Sequence, residues 1–598
     1  MKAILAAAGL ALATATFPCR ADAPLDAGKR TPLAPGRTVD AIEQMLAADA
    51  TEDGTIFEAR GYRRPGDDGG GVFRYLKSSE APPDGGSVLP PRKGPGRFLR
   101  VVDAAAEPRA EWFGAYGDGD SPNPHDDKDA VNACLQAFGR VRLLAKTYGV
   151  RGKPTHYNPN ATYHAIDLGP RYRIEGADRD RTRIKLLDGT NPKGDGPGGN
   201  YFSLIANRNF YESADHVVVA NLTVDGNFDR QDKHTTIHAI HIRGGNALVE
   251  RVNLRGYGTG RHPQTGNSRE CFVVAQTLVY KDPNGSRRAA TYRDLDFAQP
   301  GHNGDVEGHV AEITHIALGG ANNFGDLSWI TRRGKDPDFN PANQGENEAN
   351  WWPAFGGLVE NCVVREIAYD PKSQKSPLNG ITCSDCIGTT IQRNRFVNFE
   401  GAGVFMMSWW NRDTRIADND FDGVNSALAL HVKGEGGTPI QSPRHENVVF
   451  ERNRVRLCAP RHCPWAPVGI HLYGQDVRDG VRMQSILVRD NSIEGRAYEH
   501  ADGGRRHPIG IGIQFLRPNY RGLVFERNRI DVPDYADAPY LPQEPYCLSI
   551  RYYPLARWEE DRRTQNVVFR ENRNTQGQLL RPILADWYFK NKPVWGEP

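Results

Sequence analysis

A short pattern centred on asparagine recurs along the second half of the chain, and it constrains the fold more than any other feature. The stretch 447–455 (NVVFERNRV) returns at 522–530 (GLVFERNRI), with further copies at 388–396 (GTTIQRNRF), 485–493 (SILVRDNSI) and 566–572 (NVVFREN). Looser copies earlier in the chain put Asn221, Asn253 and Asn361 in the same role. The steps Asn394, Asn419, Asn453, Asn491 and Asn528 are 25, 34, 38 and 37 residues long. Each step holds one turn of three short strands and a loop of variable length. Within each copy apolar residues alternate with polar ones, so alternate side chains point into a narrow core. The asparagine suits a bend between strands, and its amide can bond to the turn above or below. A propeller blade needs four strands in ~40–45 residues, and a step of 25 is too short for one. The expected fold is therefore all-β, a right-handed parallel β-helix whose turns stack at roughly 4.8 Å.

A second pattern follows each asparagine strand: small, apolar, x, apolar, x. It occurs at 239–243, 380–384, 403–407, 427–431, 469–473, 510–514 and 547–551. With the apolar residues inward, the x positions stack into outward columns. One column reads His241, Thr382, Phe405, Ala429, His471, Gly512 and Ser549. The next reads Arg243, Ser384, Met407, His431, Tyr473, Gln514 and Arg551. Two residues further on lie Trp409, Lys433, Gln475 and Tyr553. This surface concentrates His, Arg, Lys and aromatic residues and holds few carboxylates. Rings stack on the apolar faces of sugars, and cationic side chains bind carboxylates. The expected partner is an extended, acidic polysaccharide.

Other classes fit less well. The 75 basic and 73 acidic residues nearly cancel, which removes any general field for nucleic acid. Gly 63 and Pro 41, with hydrophobic residues at 38%, suit a turn-rich β protein. Residues 1–23 read as a secretory signal: Lys2, an apolar run from Ile4 to Ala15, and a small-x-small site at Ala21 to Ala23. No later stretch approaches the ~20 apolar residues of a membrane span. A periplasmic or secreted location is expected. Eight of the nine cysteines lie beyond Cys19, and an oxidising compartment could pair them. Cys458 and Cys463 would close a small loop. Cys383 and Cys386 form a CxxC without the second pair that a zinc site needs, and read as a packed or oxidised pair.

Residues 24–107 read as a small β-rich cap or presenting region of short strands and tight turns. The β-helix is expected over 108–598, with long loop insertions interrupting the repeat at about 256–355. That insertion includes Glu346, Glu348 and the pair Trp351 and Trp352. At the start of the expected β-helix, 112–120 (WFGAYGDGD) leads to Asp126 and Asp127, either of which can cap a helix that opens the solenoid. A strand ending in Thr147-Tyr148 follows. This order resembles the opening of the pectate-lyase-like β-helix superfamily, which holds polysaccharide lyases and family 28 glycoside hydrolases. Here Leu144-Ala145-Lys146 stands where Pro-Ala-Gly is usual.

The resemblance implies a carbohydrate-active enzyme and leaves its reaction open, because fold does not fix chemistry. β-Elimination from a uronate needs the carboxylate neutralised, a base for the C5 proton and an acid for the leaving oxygen. Lys433, His431, His471 and Tyr473 are the catalytic candidates. Arg243, His241, Trp409, Gln514 and Arg551 are expected to bind substrate along the groove. Hydrolysis instead needs two carboxyl groups at a set separation, for which Asp385, Asp476, Glu346, Glu348, Asp225 and Asp229 are available. The Asn-Thr-Asp, Asp-Asp and Gly-His-Gly series of β-helix polygalacturonases is missing from the repeats. A C5-epimerase would share the lyase site, and tailspikes and adhesins use the same scaffold, some only to bind glycans. No cofactor is demanded, and a calcium ion is compatible.

Overall fold

A computed structural model describes residues 36–48, 52–103, 105–155, 162–190, 200–209, 212–232, 234–260, 271–278, 288–298, 313–319, 354–367, 379–384, 386–407, 410–432, 444–459, 467–474, 483–515, 520–532, 548–552, 566–580 and 582–584. The expected signal segment lies outside them.

The first unit is a small sheet. Strands Ile56–Ala59, Gly71–Leu76, Arg97–Arg100 and Val88–Leu89 pair antiparallel, and Arg37–Val39 joins the edge in parallel. Phe57, Phe73, Tyr75 and Phe98 fill a core of its own, closed by Ile42 and Met45 of the helix Ile42–Ala47. The remaining described residues build a right-handed parallel β-helix. Its described strands form a 13-stranded sheet and a second, bent sheet of 23 strands, to which a turn contributes one to three. The helix Lys128–Phe138 closes the first turn with Val131, Cys134 and Leu135. Asp127 stands at its N-cap, but the carboxylate bonds elsewhere. It accepts the backbone N–H groups of Tyr116 (2.6 Å) and Gly117 (3.0 Å), which fixes the glycine-rich loop ahead of the helix.

The bend in the second sheet is an asparagine ladder. Asn453 Oδ1 accepts both the backbone N–H and the side-chain amide of Asn419, each at 2.9 Å. Asn491 does the same for Asn453, Asn528 for Asn491, and Asn572 for Asn528. Residues just before the ladder, such as Arg393, Asp418, Arg452, Asp490 and Arg527, take positive φ. That conformation costs a non-glycine residue about 1 kcal/mol or more, and the buried amide bonds offset it.

The ladder begins at Asn394, not earlier. Cys362 donates its N–H to Asn394 Oδ1 (3.0 Å) and so occupies the ladder position, while Asn361 precedes it at φ 55°. Asn221, φ 58°, also sits in the left-handed position before the bend, and Leu222 and Val252 pair at the position itself. Asn253 falls one residue after. Asparagine tolerates both a left-handed site and an amide ladder, so its presence alone does not tell the two apart.

The stretch 256–355 also differs from expectation. Strands Cys271–Thr277 and Ile313–Gly319 continue the 13-stranded sheet in register, so the repeat runs through this region.

Candidate functional site

Several strands of the 13-stranded sheet place two consecutive residues in the core. In Thr235–Arg243 these are Ala239 and Ile240, flanked by inward Ile237 and Ile242. His238, His241 and Arg243 are thereby turned to the other face. The same spacing holds at Ala427 and Leu428 in Ser426–Val432, which turns out Ala429 and His431.

The register confirms the columns as physical rows. Asp167, Ala206, His241, Ala275, Ala317, Thr382, Phe405, Ala429, His471, Gly512 and Ser549 are successive partners. Beside them, Met407 pairs with His431, His431 with Tyr473, Tyr473 with Gln514, and Gln514 with Arg551. Arg243 begins the same row, followed by Thr277, Gly319 and Ser384. Ala275 and Ala317 were hidden from sequence reading because Val273 and His315 stand where the pattern has a small residue, and Gln276 where it has an apolar one.

These rows face away from the main core, yet most of their side chains are covered. Phe405, Ala429 and Ala402 make a separate apolar cluster, as do Phe272, Ala275 and Ala317. His241 and His471 are each 7% exposed and Arg243 5%, whereas His431 and Tyr473 are half-buried. An open groove along the full row was expected. Among the described side chains of these rows, Ala206, His431 and Tyr473 are the partly accessible ones.

Three catalytic candidates meet at His431. His431 Nε2 lies 3.3 Å from His471 Nδ1. The Tyr473 ring is centred 5.2 Å from His431 and 5.7 Å from His471. Phe405 packs edge-on against His431 at 5.0 Å. Burial lowers the His471 pKa to about 4, so its imidazole is neutral near pH 7. Behind them the fully buried His445 donates Nε2–H to the His431 carbonyl (3.0 Å), fixing the strand that carries His431. Sequence reading missed His445, which lies in the asparagine strand Arg444–Glu451 of the bent sheet and follows no column.

A second polar cluster lies six strands toward the N-terminus, roughly 29 Å away at ordinary strand spacing. His241 Nε2 donates to the Phe272 carbonyl (2.9 Å), and the His238 ring lies 4.3 Å from that of His241. Burial, and secondarily the Arg243 charge, holds His241 at about 4. Asn207 clamps the Arg243 backbone, accepting its N–H and donating to its carbonyl. His241 and Arg243 therefore cannot reach a sugar held at His471.

Of the remaining candidates, Gln514 and Arg551 occupy their predicted register positions one and two strands beyond Tyr473. Lys433, Trp409, Asp385, Asp476, Glu346 and Glu348 lie outside the described residues, as does Cys463. Asp225 is on the bent sheet, where its carboxylate accepts the Asn227 N–H (2.9 Å). Buried Glu360, Glu451 and Glu526 form ion pairs with arginines of that sheet. Cys383 and Cys386 are both buried in the core, and the Cys386 thiol reaches the Leu318 and Ser384 carbonyls. Among the described residues, no group of three His, Cys, Asp or Glu side chains is placed to hold a metal ion. No helix among them is long and apolar enough to cross a membrane.

Residues 38–103 match the family described as the phage tail protein small four-stranded beta-sheet domain. No curated protein matches the chain. Among solved structures it is similar to tailspike protein 2 of an Escherichia coli bacteriophage (TM-score 0.37, 11% identity, 90% of this chain and 50% of that one). It is similar to a tailspike of an Acinetobacter baumannii bacteriophage, a capsular polysaccharide depolymerase (0.39, 11%, 92% and 76%). It is also similar to a glycan biofilm modifying enzyme of Pantoea stewartii with a tailspike-like parallel β-helix (0.35, 13%, 79% and 53%). The chain spans about half the length of the first of these.

Proposed function

We propose that this protein is an extracellular or periplasmic enzyme that cleaves a uronate-containing polysaccharide by β-elimination at His431, His471 and Tyr473. The observation that carries the reading is the convergence of two imidazoles and a phenol at a partly accessible stretch of the outward row. Half-buried His431 takes the C5 proton of the uronate, and neutral His471 behind it can share that proton. The C5 electron pair forms the C4–C5 double bond as the C4–O bond breaks. The Tyr473 hydroxyl protonates the departing oxygen. Lys433 is assigned to the carboxylate, with Arg551 and Gln514 binding sugars further along the row. This would place the chain beside the lyases of the pectate-lyase-like superfamily.

The test is incubation with a panel of acidic and neutral polysaccharides, following ultraviolet absorbance of the unsaturated product and reducing ends together. Both signals should rise on a uronate polymer. Reducing ends without absorbance would overturn elimination and move the search to paired carboxylates. A second reading, a tailspike-like protein that binds glycan without cleaving it, is favoured by the phage-tail match over residues 38–103. Tight glycan binding with neither signal would select it.

A further inference from the structure

The capping end of the β-helix carries a third polar group that the proposed lyase site does not use. In strand Thr162–Leu168, the His164 Nε2 lies 2.8 Å from Asp167 Oδ1. Asp167 is 1% exposed, and Lys153 Nζ donates to its other oxygen at 2.8 Å. Asn132, buried in the capping helix, accepts the Asp167 N–H (2.8 Å) and donates to the Ala165 carbonyl (2.9 Å). The carboxylate is thus fixed from both sides. It holds the imidazole in the tautomer with hydrogen on Nε2, which leaves the Nδ1 lone pair open. His164 is 4% exposed, and its Nδ1 has no hydrogen-bond partner. Its register partner on the next strand is Ser203, one strand spacing of ~4.8 Å away. Ser203 lies between the inward residues Phe202 and Leu204, so its hydroxymethyl group shares the outward face with His164.

We infer that Asp167, His164 and Ser203 form a hydrolytic triad acting on carboxylic esters, a second activity independent of the histidine–tyrosine site. The two sites are seven strand spacings apart, roughly 34 Å. Ser203 Oγ attacks the ester carbonyl while His164 Nδ1 takes its proton. Collapse of the tetrahedral adduct breaks the C–O bond, and the same proton passes to the departing alkoxide. Water, deprotonated by His164, then releases the carboxylic acid and restores Ser203. Catalytic hydrogen bonds commonly tighten only when substrate is bound, so the open Nδ1 of the resting chain is compatible with this role.

The test uses the full chain, a fluorophosphonate probe with peptide mass spectrometry, and p-nitrophenyl acetate hydrolysis. The probe should label Ser203, and Ser203→Ala should abolish labelling and lower ester hydrolysis roughly 100-fold or more. His164→Gln should slow both to a similar extent, with circular dichroism confirming that each variant folds. Absence of label on Ser203 in the folded wild-type chain would overturn the inference. So would ester hydrolysis that survives Ser203→Ala. Uronate cleavage is read separately, and neither outcome here alters it.

Discussion

His431 and His471 stand on adjacent strands with Nε2 and Nδ1 3.3 Å apart, one imidazole half-buried and the other almost fully covered. One ring nitrogen must donate to the other, so the pair shares a proton across the strand gap. The covered ring is held neutral by burial, and the accessible ring is the one proposed to meet substrate.

Replacing His431 by Ala or Tyr473 by Phe should lower kcat on a uronate polymer by roughly 10²- to 10⁴-fold, the usual range for a lost general acid or base. KM should change little. Phe405→Ala should raise KM as well, because that ring braces His431 edge-on. Steady-state kinetics on the product absorbance would separate these outcomes. Equal kcat in wild type and both site variants would remove them from the reaction.

Acid should destabilise the fold through its buried imidazoles. His241, His315, His445 and His471 are each held at about 4 by burial, below the ordinary 6.5. Above pH 6.5 both folded and unfolded chains leave them neutral. Between pH 6.5 and 4 the unfolded chain binds protons that the folded chain refuses, so stability falls with pH. The loss is on the order of 3 kcal/mol per imidazole. Tm measured from pH 7.5 to 4 should fall steeply across this window, and His445→Gln should flatten the slope. A Tm constant down to pH 4 would contradict the buried, neutral assignment.

The asparagine ladder should be intolerant of truncation. Asn453→Ala would strip the acceptor from Asn419 and the donor from the Ile416 carbonyl, all buried. Leaving buried polar groups unpaired costs about 1–3 kcal/mol each, so a loss of about 3–5 kcal/mol is expected in urea denaturation. An exposed control, Arg454→Ala, should cost less than about 0.5 kcal/mol.

Glu451 tests whether buried carboxylates act in catalysis or only in structure. Burial alone would raise its pKa, but Arg489, Arg452 and Arg415 outweigh it and hold the group at about 2. Its stabilising effect is complete above the ordinary carboxylate range and is lost as pH falls toward 2. Glu451→Gln leaves three guanidinium groups facing an uncharged amide and should cost about 3 kcal/mol. Polysaccharide cleavage at neutral pH should be unchanged, since Glu451 lies on the bent sheet. Loss of activity in a folded variant would shift the catalytic assignment toward carboxylates.

Much of the scaffold was legible in the sequence because its signals are local and repeated. Alternation within a strand reports which residues face in, and the outward column from Thr382 to Ser549 follows from aligning those patterns alone. Reading failed where one residue type serves two local purposes. Asn221 and Asn361 take the left-handed position before the bend, and Cys362 occupies the ladder where an asparagine was expected. It also failed where strands lack a bend signature. Cys271–Thr277 and Ile313–Gly319 add two turns inside a stretch that reads as a loop.

The sequence by itself determined the stacked turns, the inward rows and the residue types available on the outer face, because strand periodicity is a property of neighbouring residues. Only the tertiary structure decided which of those residues meet. Pairing His431 with Tyr473 depends on a register between strands that lie some forty residues apart. Covering His241 while leaving His431 accessible depends on what packs over each turn. The fixing of His164 by Asp167 depends on two core residues falling side by side at Ala165 and Ile166. Such contacts join residues through space, and no periodicity along the chain encodes them.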